Sequence, residues 1–153
     1  MNPIDASVIQ SFDQTAEEIF DAFLDQELIG QWMFGPLLRE ETVLHIALES
    51  RVGGAFSFLV QRNGEEIDHV GQYVTINRPK RLVFSWDIGT FNANSSQVTL
   101  DIQANSGLGC TVTLTHSLPA EWADYADRTK NAWNLMLGAL KTVKTNQKKV
   151  GIG

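Results

Sequence analysis

Between Thr42 and Ser117 the chain alternates apolar and polar residues with a period of two, the spacing of a strand with one face buried. The alternation runs in six segments: 42–49, 55–61, 66–76, 81–86, 95–104 and 109–117. Short turn clusters separate them. Asn63-Gly64 is a strong two-residue hairpin signal, because both positions of such a turn need positive φ. Gly53-Gly54 allows a similarly tight reversal, and "NRPKR" (77–81) and "NSGLG" (105–109) are turn chemistry. Links this short cannot hold a crossover helix, so neighbouring strands must run antiparallel.

The pattern changes at both ends. Val8 to Phe12 reads as a further strand. Thr15 with Glu18 three residues on is a capping box. Ala16, Ile19, Phe20 and Phe23 follow at helical spacing, and Leu28, Ile29, Trp32 and Met33 predict a second short helix ending near Gly35-Pro36. From Ala120 to about Asn146, a four-three stripe through Trp122, Ala126, Thr129, Trp133, Met136, Leu140 and Val143 predicts one long amphipathic helix of roughly 40 Å. Gly138 within it is expected to allow close approach to a strand. The predicted fold is α+β: a curved antiparallel sheet of about seven strands, two short helices after the first, and a long helix across the sheet. One domain spans residues 1–153, since no repeat or linker divides them.

Charge narrows the function. Twelve basic and eighteen acidic residues give a net charge of −6, which argues against nucleic acid, whose phosphates need a clustered basic surface. Lys141, Lys144, Lys148 and Lys149 form a basic cluster near the C-terminus, placed as for a helix end and a solvated tail. No apolar run approaches the ~20 residues of a membrane helix, and the N-terminus lacks a signal-peptide pattern. With a single cysteine, Cys110, the expectation is a cytoplasmic protein, monomer or homodimer. "NSS" at Asn94 matches a glycosylation sequon and is read as a loop.

No catalytic signature stands out. There is no nucleophile elbow, and Cys110 sits in a predicted strand with nothing to stabilise a thiolate. His45, His69 and His116 fall on three different strands with no metal-ligand spacing, so neither metal nor cofactor is expected. Arg51 beside Glu49 reads either as a ligand anchor or as a surface ion pair. The aromatics are more informative. Strand parity places Phe56 with Phe58, and Phe84 with Trp86, on single faces, and puts Tyr73 on the face of His69. Trp133 and Met136 share the helical stripe. Each of these side chains reads as core or as the wall of a pocket. Tyr73 and Trp86 fit a pocket better, because their polar tips need partners when buried. His69 and His116 are candidate polar groups at the same cavity.

Several stretches together carry a resemblance: "FDQTAEEIFDAFLDQELIGQWM", "RVGGAFSF", "GQYVTINRPKRLVFSW", "VTLTH" with "LP" soon after, and "AWNLMLGALK". In order and spacing they resemble the activator-of-Hsp90-ATPase-homologue-like domains of the START/Bet v 1 helix-grip superfamily, over nearly the whole chain. Relatives often have Gly before the late-helix Trp, where this chain has Ala132. The resemblance implies a helix-grip fold with an internal cavity and links to apolar small molecules and to stress responses. The expected function is binding of a small, largely apolar ligand between sheet and helix. Two alternatives remain: a chaperone-associated interaction domain, and a lyase or cyclase using His69, Tyr73 or His116 as acid or base. The eukaryotic co-chaperones chiefly engage the chaperone through a separate N-terminal domain, which this chain is not expected to carry.

Overall fold

A computed structural model describes residues 2–89 and 96–152, with side chains to residue 147. The sequon at Asn94 and the side chains of Lys148 and Lys149 lie outside the described residues. The order of elements is β1 (Ile4–Phe12), α1 (Ala16–Ala22), α2 (Gln26–Trp32), β2 (Thr42–Leu48), β3 (Ala55–Arg62), β4 (Glu65–Asn77), β5 (Arg81–Ile88), β6 (Ser96–Ala104) and β7 (Cys110–Leu118). A 3₁₀ segment (Ala120–Tyr125) and α3 (Ala126–Ile152) follow. The seven strands form one curved, open antiparallel sheet in the order β1-β7-β6-β5-β4-β3-β2.

The meander follows from its turns. Asn63 and Gly64 have φ of 53° and 79°, which joins β3 to β4 through the expected positive-φ pair. At the double glycine, Gly53 has φ 83°, and a Cβ on Gly54 would collide with the Glu49 carbonyl. The Gly53 N–H and Gly54 carbonyl then bond to Tyr73 of β4, at 2.8 and 2.9 Å, so the β2–β3 reversal also clasps the neighbouring strand. β1 has no sequence neighbour in the sheet and pairs with β7 along its whole length, from Ile4 with Leu118 to Phe12 with Cys110.

The capping box holds as read: Thr15 Oγ1 accepts from the Glu18 N–H at 3.1 Å while Glu18 reaches back to Thr15 N–H. Asp25 caps α2 in the same way, accepting from the N–H groups of Glu27 and Leu28. These two short helices close one end of the core with Ile19, Phe20, Ile29 and Trp32, all wholly buried. The Trp32 indole donates to the Ala22 carbonyl at 3.1 Å and meets Phe23 edge-on, which locks α2 onto α1. The backbone of α3 runs closest to β1 and α2. Among the described residues no helix is long and apolar enough to cross a membrane.

Two expectations for the last helix are corrected. It does not begin at Ala120: residues 120–125 form a 3₁₀ turn started by Pro119, with Trp122 off helical geometry at φ −103°, ψ 20°. That kink rotates Trp122 out of the stripe and leaves it 42% exposed, so the buried face begins in α3 proper. Gly138 does not sit against a strand either. A Cβ built there meets nothing within 4 Å, because the residue lies beside the exposed Lys141 and Thr142, off the stripe that continues through Met136, Leu140 and Val143.

Candidate functional site

The side of the core toward β3, β4 and β5 is aromatic. Cross-strand pairing builds it: Phe58 lies opposite His69, Phe56 opposite Gly71, and Tyr73 opposite Phe84. Gly71 is needed there. A Cβ on it would collide with the Ser85 carbonyl and lie 2.6 Å from Phe56 Cζ, so the missing side chain lets the Phe56 ring rest on β4. From Phe56, ring centroids lie at 4.6 Å to Phe58, 5.5 Å to Tyr73, 5.8 Å to Phe84 and 6.0 Å to Trp86. Trp86 in turn meets Trp133 of α3 edge-on at 5.8 Å. Met136 is buried one turn farther along α3. Phe34, which sequence reading did not single out, completes the wall at 6.0 Å from Phe58 and 4.6 Å from His69.

A directed hydrogen-bond chain joins α3 to the sheet. An indole N–H can only donate. The Trp133 Nε1–H therefore donates a hydrogen bond to His116 Nδ1 at 3.0 Å, and neutral His116 must carry its own hydrogen on Nε2. That nitrogen lies 2.7 Å from Ser96 Oγ, which donates onward to the Trp86 carbonyl at 2.7 Å. A second proton on His116 would face a donor with a donor. Burial alone pushes its pKa down to about 4, in accord with that geometry. Both nitrogens are engaged, so His116 orders the site and has no lone pair to offer a ligand.

Three other polar atoms of the cluster are placed differently. His69 is 6% exposed, and its Nδ1 lies 3.0 Å from the Phe58 carbonyl. A carbonyl only accepts, so Nδ1 carries the proton and Nε2 presents a lone pair. Burial lowers the His69 pKa, with the Phe58 carbonyl opposing, and burial raises that of the Tyr73 phenol. His69 Nε2, Tyr73 Oη and Trp86 Nε1 have no hydrogen-bond partner among the described residues. None of the three is sealed, since the sealed and unpartnered side-chain atom among the described residues is Gln14 Oε1.

A charged clamp supports the wall. The Glu41 side chain is fully buried and accepts from the Gly35 N–H at 2.7 Å, from Arg39 at 3.0 Å, and from Arg62 Nε and Nη2 at 2.9 and 2.7 Å. Burial raises its pKa, but the bonds from Gly35 and Arg62 outweigh that and hold the carboxyl below its ordinary value. The clamp ties the segment after α2 to the β3–β4 hairpin and so fixes Phe34 beside His69.

The remaining candidates lie elsewhere. Arg51 pairs with Glu49 at 2.8 Å on the open surface. His45 is exposed on the edge strand β2. Cys110 is buried at the start of β7, where burial raises its thiol pKa. Among the described residues no three His, Cys, Asp or Glu side chains converge as metal ligands would.

The fold recurs in solved structures. Protein SA2116 from Staphylococcus aureus, described as of unknown function, superposes with a TM-score of 0.81 at 14% identity, over 96% of each chain. Protein NE0264 from Nitrosomonas europaea gives 0.79 at 12% identity, over 94% of this chain and 96% of that one. ChR145 from Cytophaga hutchinsonii gives 0.74 at 21% identity, over 97% and 99%. At these identities the likeness is one of fold alone. No protein of curated function matches the chain. A family model does match, over residues 13–144, and nearly all the elements described above fall inside that span. The chain thus belongs to the family described as activator of Hsp90 ATPase homolog 1-like protein.

Proposed function

We propose that this protein binds a small, largely apolar molecule against the aromatic wall between β3–β5 and α3, with Phe56, Phe58, Tyr73, Phe84, Trp86, Trp133 and Met136 in contact with it. The observation that carries the reading is the contrast among indoles. Trp32 and Trp133 both donate to partners inside the protein. Trp86 lies between Phe56 and Trp133 with no partner for its N–H, as do the Tyr73 hydroxyl and His69 Nε2. Trp86 is half-buried, and three unbonded polar atoms within reach of solvent in one aromatic region suit a ligand with a few polar atoms on an apolar body.

The test uses the neutral fluorophore N-phenyl-1-naphthylamine. The folded protein should brighten it, and Trp86→Glu should abolish the effect while a cooperative urea transition shows the fold kept. Trp122→Ser, on the exposed 3₁₀ turn, should leave binding unchanged. Unaltered binding by a folded Trp86→Glu protein would assign these side chains to the core and move function to the outer surface. A chaperone-associated role is the second reading, favoured by the family's description. Retention of the protein on immobilised Hsp90, insensitive to Trp86→Glu, would support that reading instead.

A further inference from the structure

We infer that His69 selects the ligand: the site takes neutral molecules that carry a hydroxyl or N–H donor and discriminates against carboxylates. This rests on the aromatic wall being the ligand site. The argument begins with the Phe58 carbonyl, 3.0 Å from His69 Nδ1. Because that oxygen cannot donate, the imidazole proton is fixed on Nδ1, and Nε2 is left as an acceptor. The ring cannot exchange these roles by turning over without losing the Phe58 bond, and it is held between Phe34 at 4.6 Å and Trp86 at 5.4 Å.

The charges around His69 do not alter this. Arg62 is the cation that acts on it, and its guanidinium is already bonded to Glu41. Asp68, the neighbour on β4, points to Ser57, whose hydroxyl donates to it at 2.7 Å. No free cation therefore faces the lone pair among the described residues. A carboxylate placed there would shed its hydration and meet an acceptor with an acceptor. A hydroxyl would donate to Nε2 and keep its own oxygen available for the Trp86 N–H, whose ring is the neighbour of His69. Burial keeps the imidazole neutral near pH 7, in accord with this arrangement.

The experiment measures displacement of N-phenyl-1-naphthylamine near pH 7 by three naphthalenes of similar size: 2-naphthol, 2-methoxynaphthalene and 2-naphthoate. The expected order is naphthol tightest, with the methyl ether weaker by about five- to tenfold, the cost of one neutral hydrogen bond. The carboxylate should be weakest. His69→Leu should bring naphthol and its methyl ether to equal affinity, whereas Tyr73→Phe should keep the preference. Equal binding of the two by the unaltered protein would overturn the role of His69 and leave the ligand site standing. So would tightest binding of the carboxylate, or a preference lost in Tyr73→Phe and kept in His69→Leu. If the fluorophore and all three naphthalenes fail to bind, both the site and its selectivity are refuted.

Discussion

Acid should loosen this protein through His116 before its carboxylates titrate. In the unfolded chain the imidazole takes a proton near 6.5, and in the folded protein near 4. Between those values the unfolded state binds more protons, so stability is fully present above 6.5 and falls as pH drops toward 4. At about 1.4 kcal/mol for each tenfold change in proton affinity, the full loss is about 3 kcal/mol, of which about 2 is spent by pH 5. The geometry explains why relaxation does not rescue it: the proton would have to enter between His116 Nδ1 and the Trp133 N–H, 3.0 Å away. His116→Gln supplies one acceptor and one donor on a planar group and cannot be protonated. Urea midpoints from pH 7.5 to 5 should fall by about 1 M more in the unaltered protein than in His116→Gln, for a denaturant slope of about 2 kcal/mol per molar. His69, whose pKa burial also lowers, contributes the same sign in both proteins and cancels from the difference. Parallel midpoints over that range would refute the donor–acceptor assignment along the chain from Trp133 to Trp86.

Trp133→Ala should cost about 3–5 kcal/mol in chemical denaturation, since the indole is both packed against Trp86 and bonded to His116. An unchanged midpoint would mean the stripe of α3 does not face the sheet. Gly64→Val should cost about 1–2 kcal/mol, because a β-branched residue would have to hold φ 79°, and thermal melting measures it. Gly71→Ala should cost about 1–3 kcal/mol and lower fluorophore binding as Phe56 is pushed off β4. Full stability and binding in that variant would contradict the contact.

The fold was legible where local chemistry decides it. Asn63-Gly64 needs only its own backbone to make a turn, and Thr15 with Glu18 caps a helix within four residues. The stripe of α3 could be read from periodicity as far as the chain stays helical. At Trp122 periodicity misled, because a 3₁₀ turn after Pro119 changes the angular step, and the four residues from Trp122 to Ala126 no longer return to the same face. The aromatic wall was half legible. Strand parity paired Phe56 with Phe58, but Phe34 lies in an irregular stretch after α2 that has no period to read. Long-range polar bonds were not legible at all. Nothing near His116 in sequence announces Ser96, twenty residues earlier, and nothing near Glu41 announces Arg62. Those partners exist only once the register of the sheet and the path of the α2–β2 link are set.

The edge-on approach of Trp86 and Trp133, 5.8 Å apart with planes at 60°, has an optical consequence. Two identical chromophores this close and not parallel share their excited states, so the indole transitions split into a pair of bands with opposite rotational strength. The circular dichroism of this protein should carry such a couplet superposed on the backbone signal, and secondary-structure content read from that spectrum will be biased by it. The same couplet is an intrinsic ruler across the contact between β5 and α3. Its amplitude changes with the separation and angle of the two rings, so it reports any movement of α3 away from β5 without a dye attached.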